Sequence, residues 1–400
     1  MAVSLEEARR LVLEHAVTMP VITQPLAECY GRILAQPVIA DTDFPPFDRS
    51  PLDGFAVRYA DVQTADCEPV RLTVTDYVPA GVLPSRSVER GTAAKIMTGA
   101  KMPLGADAVI RIEDTKFEGD QVTILTAIQA DKNICHQGEE FQRGAVILQP
   151  GCSLNDGTLG VLAMFGQDRP KIFARPRVAI LATGTEVIAV NQPLTPGKIR
   201  DTNSYMLGAK VLEAGGEPVL LGQVTDRLDD IEQKLKQAGD MDIYLTTGGA
   251  SVGDCDLMGQ LFERLGVRPF FTRVAIKPGM PILAGCWQGR LLIALSGNPA
   301  AAGVSFEVLV RPLLRKMAGA CHYYRTKATV SLKQGITKSG SVRRFIWARA
   351  EYRDGRLEAN PFILQRNGML AGLLEADMLL DIPADSHALM AGAEVNALLL

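Results

Sequence analysis

The chain has 400 residues, 47% of them hydrophobic and 22% charged, with a formal net charge of −3 at pH 7. That length exceeds one hydrophobic core and calls for roughly two to four domains. The near-neutral balance excludes long-range attraction for nucleic acid or an anionic membrane, and no run of about 18 apolar residues offers a membrane span.

The opening MAVSLEEARRLVLEHAV carries charges every few residues and does not read as a secretion signal. Ser4 and Glu7 form a capping box that starts an amphipathic helix. Helical character runs to about residue 40, punctuated by Gly31 and Pro37. The stretch FPPFDRSPLDGFAVRYAD follows, with prolines that stiffen the backbone into a rigid loop pointing Asp53 in one direction. Taken alone, such a loop is most simply a corner between two domains.

From 45 to 140 short β-like runs alternate with glycine and proline, the pattern of a small β-rich domain. Residues 141–174 (GAVILQPGCSL, then the helical DGTLGVLAMFG) return to the first module. The expected organisation is a discontinuous helical or mixed domain at 1–44 plus 141–174, with the β-rich domain 45–140 inserted. Residues 175–318 alternate strands (RPRVAILATGTEVI, PVLLGQVTD, DMDIYLTTGG, RLLIALSG) with helices (TNSYMLGAKVLEAGG, RLDDIEQKLKQAG, AAAGVSFEVLVRPLLRKM). That texture specifies a doubly wound parallel sheet covered on both faces. Residues 325–400 return to β character and are expected to form a small barrel or sandwich.

Open α/β sheets bind ligands beyond the carboxyl ends of their strands. Three turns occupy such positions: Thr183-Gly184-Thr185-Glu186, the segment Thr246 to Asp256, and the segment Ser296 to Gly303. Their glycines admit close approach of backbone N–H groups to an anion, and the third turn opens a helix. A phosphate-bearing ligand is expected there, held at Thr183, Gly184, Gly248, Gly249, Ser251, Gly253, Gly297, Asn298 and Pro299. Glu186, Asp226 and Asp256 each follow a strand. Singly each is a cap or a surface charge; together, beside a phosphate, they point to Mg²⁺. Lys277 in VAIKPGMP sits on a rigid turn as a phosphate or oxyanion partner, or as a solvated lysine. The seven cysteines (Cys29, Cys67, Cys135, Cys152, Cys255, Cys286, Cys321) lack a C-x-x-C pair and the four histidines are isolated. This fits reduced thiols in a cytoplasmic protein and argues against a zinc site.

The segments PPFDRSPLDGFAV, KIMTGAKMPLGADAVIRIED, NICHQGEEF, LATGTEVI, TTGGASVGDCD, AIKPGMP and LSGNPAA resemble, in order and spacing, those of the MoeA proteins, a family that includes the E domain of gephyrin. The resemblance spans essentially the whole chain. It implies a helical domain with an inserted β domain, a molybdopterin-binding α/β domain and a C-terminal β-barrel, in an elongated homodimer whose clefts draw on both subunits. It also implies the reaction: Mg²⁺-dependent insertion of molybdate into molybdopterin-AMP, with release of AMP. Asp53 would then reach the partner's ligand, and Thr98 would be a nucleotide-side contact. Asp53, Glu140 (where the family normally has Asp), Asp226 and Lys277 take catalytic roles, and Glu186 and Asp256 hold the metal.

The departures from the family pattern cluster. Met280 replaces a lysine, Ala301 a serine, and Asn367 stands near another serine; with Arg344 these positions make the family's molybdate pocket. Ser296 in place of proline and Pro51-Leu52 in place of Ala-Met are milder. Molybdate needs charge and donors, so the expectation is retained nucleotide-substrate binding with weakened molybdate affinity. The alternatives are a paralogue that carries adenylylated molybdopterin or scaffolds pathway proteins without inserting metal, and a site preferring tungstate or another oxyanion. Molybdopterin adenylyltransferase and apo-molybdoenzymes are the implied pathway partners.

Overall fold

A computed structural model describes residues 2–249, 257–337, 340–353, 355–362 and 370–400. The chain divides into two compact units, one of residues 1–36, 150–159 and 168–400, the other of residues 37–149 and 160–167. The units therefore cut the chain differently from the four segments drawn above. Among the described residues no helix is long and apolar enough to cross a membrane.

In the first unit, helix α1 (Leu5–Glu14) starts where the Ser4 hydroxyl accepts the Glu7 N–H at 3.1 Å. Its buried stripe of Leu5, Ala8 and Val12 docks on the core of the α/β sheet. That sheet contains β1 (Arg177–Thr183), β2 (Glu217–Val224), β3 (Ile243–Thr247), β4 (Pro269–Arg273), β5 (Pro281–Trp287) and β6 (Arg290–Leu295), in the order β2-β1-β3-β6-β5-β4. Strands β2, β1, β3 and β6 are parallel. Alternation sends Val178 and Ile180 to one face and Ala179 and Leu181 to the other, so both faces are buried. Helix α2 (Asn203–Glu213) packs on the first face; α3 (Leu228–Gln237) and α4 (Leu257–Arg264) pack on the second.

The sheet is not wholly parallel, because β5 pairs antiparallel with both β6 and β4. The cause is local. Gln288 and Gly289, at φ of 51° and 77°, make a two-residue turn between β5 and β6 that only an antiparallel hairpin accommodates.

Five C-terminal strands close on themselves: β7 (Lys327–Leu332), β8 (Arg343–Arg353), β9 (Arg356–Pro361), β10 (Met378–Ile382) and β11 (Glu394–Leu399). Each pairs with two neighbours around the ring, which makes the expected β-barrel. A two-residue strand, Ile276–Lys277, adds to its outside against Arg343 and Arg344.

Helix α5 (Pro299–Ser305) runs through a π-helical turn at Phe306–Val310 into α6 (Arg311–Met317). The turn carries Glu307, wholly buried, which accepts from Lys210 Nζ at 2.7 Å and Arg325 Nε at 3.1 Å. Burial pushes this carboxyl up, but Lys210 and Arg325 more than offset it and hold it below its ordinary value. The trio ties α2, the π turn and the approach to the barrel.

The second unit is a six-stranded sheet ordered Ala108–Arg111, Gly54–Val57, Thr92–Ile96, Val70–Val78, Gln121–Ile124, Thr115–Glu118. Val38–Ile39 pairs with Val146–Leu148 and draws the two ends of the insertion together. The glycine of DGFAV is a packing requirement, since a Cβ at Gly54 would stand 1.9 Å from the Ile110 carbonyl oxygen.

Glu307→Ala removes the buried carboxylate shared by three half-buried cations, Lys210, Arg311 and Arg325, and should lower stability by about 3–5 kcal/mol, read as a fall in the urea midpoint at pH 7. Because the folded carboxyl titrates below 4.5, its contribution is present above that pH and lost as pH falls through the folded value. The gap between variant and parent should therefore narrow on acidification; a gap independent of pH would remove the charge argument.

Candidate functional site

The first unit holds a cavity of about 590 Å³ beyond the carboxyl ends of β1, β3 and β6, a size suited to a small organic ligand. The chain leaves β1 toward β2 and returns past it to β3, so this is the point where strand order reverses. Its floor is backbone. A Cβ at Gly248 would stand 2.1 Å from the Thr183 carbonyl oxygen, and one at Gly297 would stand 3.1 Å from the Gly248 Cα. Gly248 also has φ of +108°, so both space and conformation demand glycine.

Thr183, Gly184, Glu186, Asp226, Gly248, Gly249, Gly297 and Pro299, all singled out in the sequence, line this one cavity. Asn298 does not; it caps α5, its carbonyl accepting the Ala302 N–H at 2.8 Å. Ser251, Gly253, Asp256 and Asn367 lie outside the described residues.

Residues that the sequence reading did not single out hold the floor together. Asn203, in the first turn of α2 and only 7% exposed, donates from Nδ2 to Thr247 Oγ1 at 2.7 Å and to the Gly297 carbonyl at 2.8 Å. Thr247 Oγ1 donates in turn to the Ser296 carbonyl at 3.1 Å. Asp201 caps the same helix, accepting the Ser204 N–H at 3.0 Å. The short polar run DTNS before an apolar helix was the available signal, and it signals a cap rather than a clamp.

The carboxylates are placed by local bonds. Asp226 Oδ2 accepts the Thr185 N–H at 3.0 Å and its hydroxyl at 3.3 Å. The Glu186 carboxylate folds over Gly184, 2.9 Å from where a Cβ would stand. No three His, Cys, Asp or Glu side chains converge on a metal point among the described residues. Of the three carboxylates on the cavity, Glu186 and Asp226 still suit Mg²⁺, which takes one or two of them and completes its octahedron with phosphate oxygens and water. The donor set fits an ion shared with a phosphate ligand.

Lys277 and Arg344 do not line this cavity; they are register partners where the short strand meets β8. Lys277 is exposed, whereas Arg344 is 8% exposed and its Nε and Nη2 have no hydrogen-bond partner among the described residues. Burial pushes the Arg344 guanidinium below its ordinary value. The Lys277–Pro281 turn rests on α5: a Cβ at Gly279 would meet Ser305 Oγ at 2.4 Å and the Ala301 carbonyl at 3.1 Å.

In the second unit, Asp53 and Thr98 are brought together from separate segments. Asp53 Oδ1 accepts the Thr98 N–H at 2.7 Å and its hydroxyl at 2.8 Å. These bonds, the backbone one foremost, hold the Asp53 carboxyl below its ordinary value. Glu140 is exposed, its N–H donating to the Phe44 carbonyl at 3.1 Å.

A switch-point crevice floored by glycines and lined by carboxylates, in a chain that also carries a β-barrel, defines a ligand-binding protein of the doubly wound α/β class. Comparisons narrow the class. The family "MoeA N-terminal region (domain I and II)" matches residues 3–166, "Probable molybdopterin binding domain" residues 179–316, and "MoeA C-terminal region (domain IV)" residues 329–400. A molybdopterin molybdenumtransferase of Bacillus subtilis is 36% identical over 94% of this chain and 89% of its own. One of Staphylococcus aureus is 34% identical over 99% and 95%. The crystal structure of a Pyrococcus horikoshii molybdopterin biosynthesis moeA protein superposes with a TM-score of 0.85 at 32% identity, covering both chains fully. The chain belongs to the MoeA family, the molybdopterin molybdenumtransferase enzymes of molybdenum cofactor biosynthesis.

Asn203→Ala removes the clamp between two turns and leaves buried acceptors short of donors, which should cost about 1–3 kcal/mol. A denaturation midpoint equal to the parent's would show that the two turns hold their spacing without it.

Proposed function

We propose that this chain inserts molybdate into adenylylated molybdopterin in a Mg²⁺-dependent reaction that releases AMP. The observation that carries this reading is the meeting, on one cavity, of glycine-bearing ends of three parallel strands with Glu186 and Asp226. Glycine-lined turns let backbone N–H groups approach a phosphate chain. The two carboxylates would hold Mg²⁺, which when bound neutralises charge building on the phosphate oxygens. Asp226 keeps the turn at Thr185 in place through two hydrogen bonds while its other oxygen is left for the ligand side. The balance is hydrolytic at phosphorus, where water cleaves the pyrophosphate-type link and AMP leaves; at molybdenum the two dithiolene sulfurs displace one oxygen of molybdate, which departs as water with the two thiol protons, so no oxidation state changes.

Oxyanion binding is assigned to the neighbourhood of Arg344 and Lys277. A buried guanidinium with two unpartnered nitrogens favours an anion over an empty site, since an unpaired buried donor is costly. Met280 and Ala301 bring neither charge nor donor, and Ala301 is 4% exposed on α5. We further read the chain as a cytoplasmic homodimer in which Asp53, Thr98 and Glu140 of one protomer serve the ligand of the other. Molybdopterin adenylyltransferase would supply its substrate and apo-molybdoenzymes would receive its product. Met280 and Ala301 favour a second reading, a carrier of adenylylated molybdopterin that does not insert metal efficiently.

A single-turnover assay with molybdopterin-AMP and Mg²⁺ separates the two. Molybdate-dependent AMP release with active cofactor formed is expected; tight substrate binding without release would establish the carrier. Met280→Lys with Ala301→Ser should raise the molybdate-dependent rate at low molybdate about tenfold, the worth of one charge-assisted hydrogen bond.

A further inference from the structure

The cavity is strongly asymmetric in charge. Glu186, Asp201 and Asp226 line it, and of lysine and arginine only Arg200 does so among the described residues. Even with one Mg²⁺ on Glu186 and Asp226, a ligand carrying several phosphate charges beside three carboxylates leaves negative charge uncompensated. The start of α2 offers none, because Asp201 already caps it. The other nearby cation, Lys198, is committed: its Nζ donates to the Thr185 carbonyl at 2.7 Å.

Arg200 is held differently. It ends a short strap whose strands, Val187–Ile188 and Ile199–Arg200, pair in parallel, with Ile188 opposite Arg200. The Asp201 N–H donates to the Ile188 carbonyl at 2.9 Å and the Ile199 N–H to the Glu186 carbonyl at 2.9 Å. Arg200 Nε donates to the Gln192 carbonyl at 3.2 Å and orients the guanidinium, while neither terminal nitrogen has a hydrogen-bond or ion-pair partner among the described residues. A planar fork fixed at Nε with its outer edge open is the geometry for bidentate recognition of a phosphate.

We propose that Arg200 is the residue that binds the phosphate chain of the substrate in this cavity, an assignment resting on the nucleotide-substrate reading above. The strap then has a division of labour. Lys198 latches it to the Thr185 turn, beside Asp226 and Glu186, and Arg200 presents the positive edge that the carboxylates lack.

The test is calorimetric titration of the full chain and of Arg200→Gln and Arg200→Lys with inorganic pyrophosphate and with AMP, in Mg²⁺, using adenosine as the phosphate-free control. The side chain is exposed, so thermal midpoints of the variants should match the parent's. Arg200→Gln should weaken pyrophosphate and AMP about ten- to hundredfold, with Arg200→Lys between. Adenosine affinity should not change, and in single turnover the loss should appear in substrate affinity rather than in the saturated rate. Equal phosphate affinity in parent and Arg200→Gln overturns the proposal and leaves the nucleotide reading standing. An equal loss for adenosine overturns it too, by showing a general distortion of the cavity. A parent chain that binds neither pyrophosphate nor AMP overturns both.

Discussion

The site depends on one steric constraint, the approach of three adjacent strand ends so close that no side chain fits between them. Gly248 lies where any Cβ would collide with the Thr183 carbonyl, and Gly297 lies against Gly248 itself. With the floor reduced to backbone at Gly248 and Gly297 the crevice stays open there, while the Gly184 and Gly248 N–H groups hold the strand ends together by donating to the Val224 and Leu295 carbonyls at 3.1 and 3.2 Å. The same constraint explains Asn203. Turns without side chains cannot interlock by packing, so a buried amide from α2 links Thr247 to Gly297 instead. Closed-shell packing elsewhere in the domain supports this arrangement, since both sheet faces are filled by the alternating residues of β1, β3 and β6.

Electrostatics then decides what occupies the crevice. Asp201 and Asp226 both accept backbone N–H groups, which fixes where their carboxylates stand on the cavity wall. Glu186, Asp201 and Asp226 make the lining acidic, with Arg200 as the one lysine or arginine on it among the described residues.

The fold was legible where one physical rule acts locally. The Ser4 cap, the strand-helix alternation of 175–318 and the Gly-rich strand ends all follow from short windows of sequence. The failures have equally local causes. The turn at Gln288-Gly289 is a hairpin signal inside a run that otherwise reads as parallel. Strand β10, which closes the barrel, is the short apolar run MLLDI, without the alternation that marks a half-buried strand, because all five of its residues are buried. In the site, the glycines were readable because their chemistry is intrinsic. Asn203 was not, because its partners lie 44 and 94 residues away and only the folded sheet brings them to it.

Family membership and the altered oxyanion positions are compatible once helix α5 is considered as a surface. The Lys277–Pro281 turn seats on α5 at the turn that bears Ala301, with Gly279 pressed against Ser305 Oγ. A hydroxyl is therefore present on this face, one helical turn beyond position 301, but it is wholly buried under Gly279 and has no hydrogen-bond partner. Arg344, reached through the register of Lys277 against β8, stays as the fixed positive group. Met280 and Ala301 remove a charge and a donor from the proposed oxyanion position, which accords with the weakened molybdate affinity expected from the sequence.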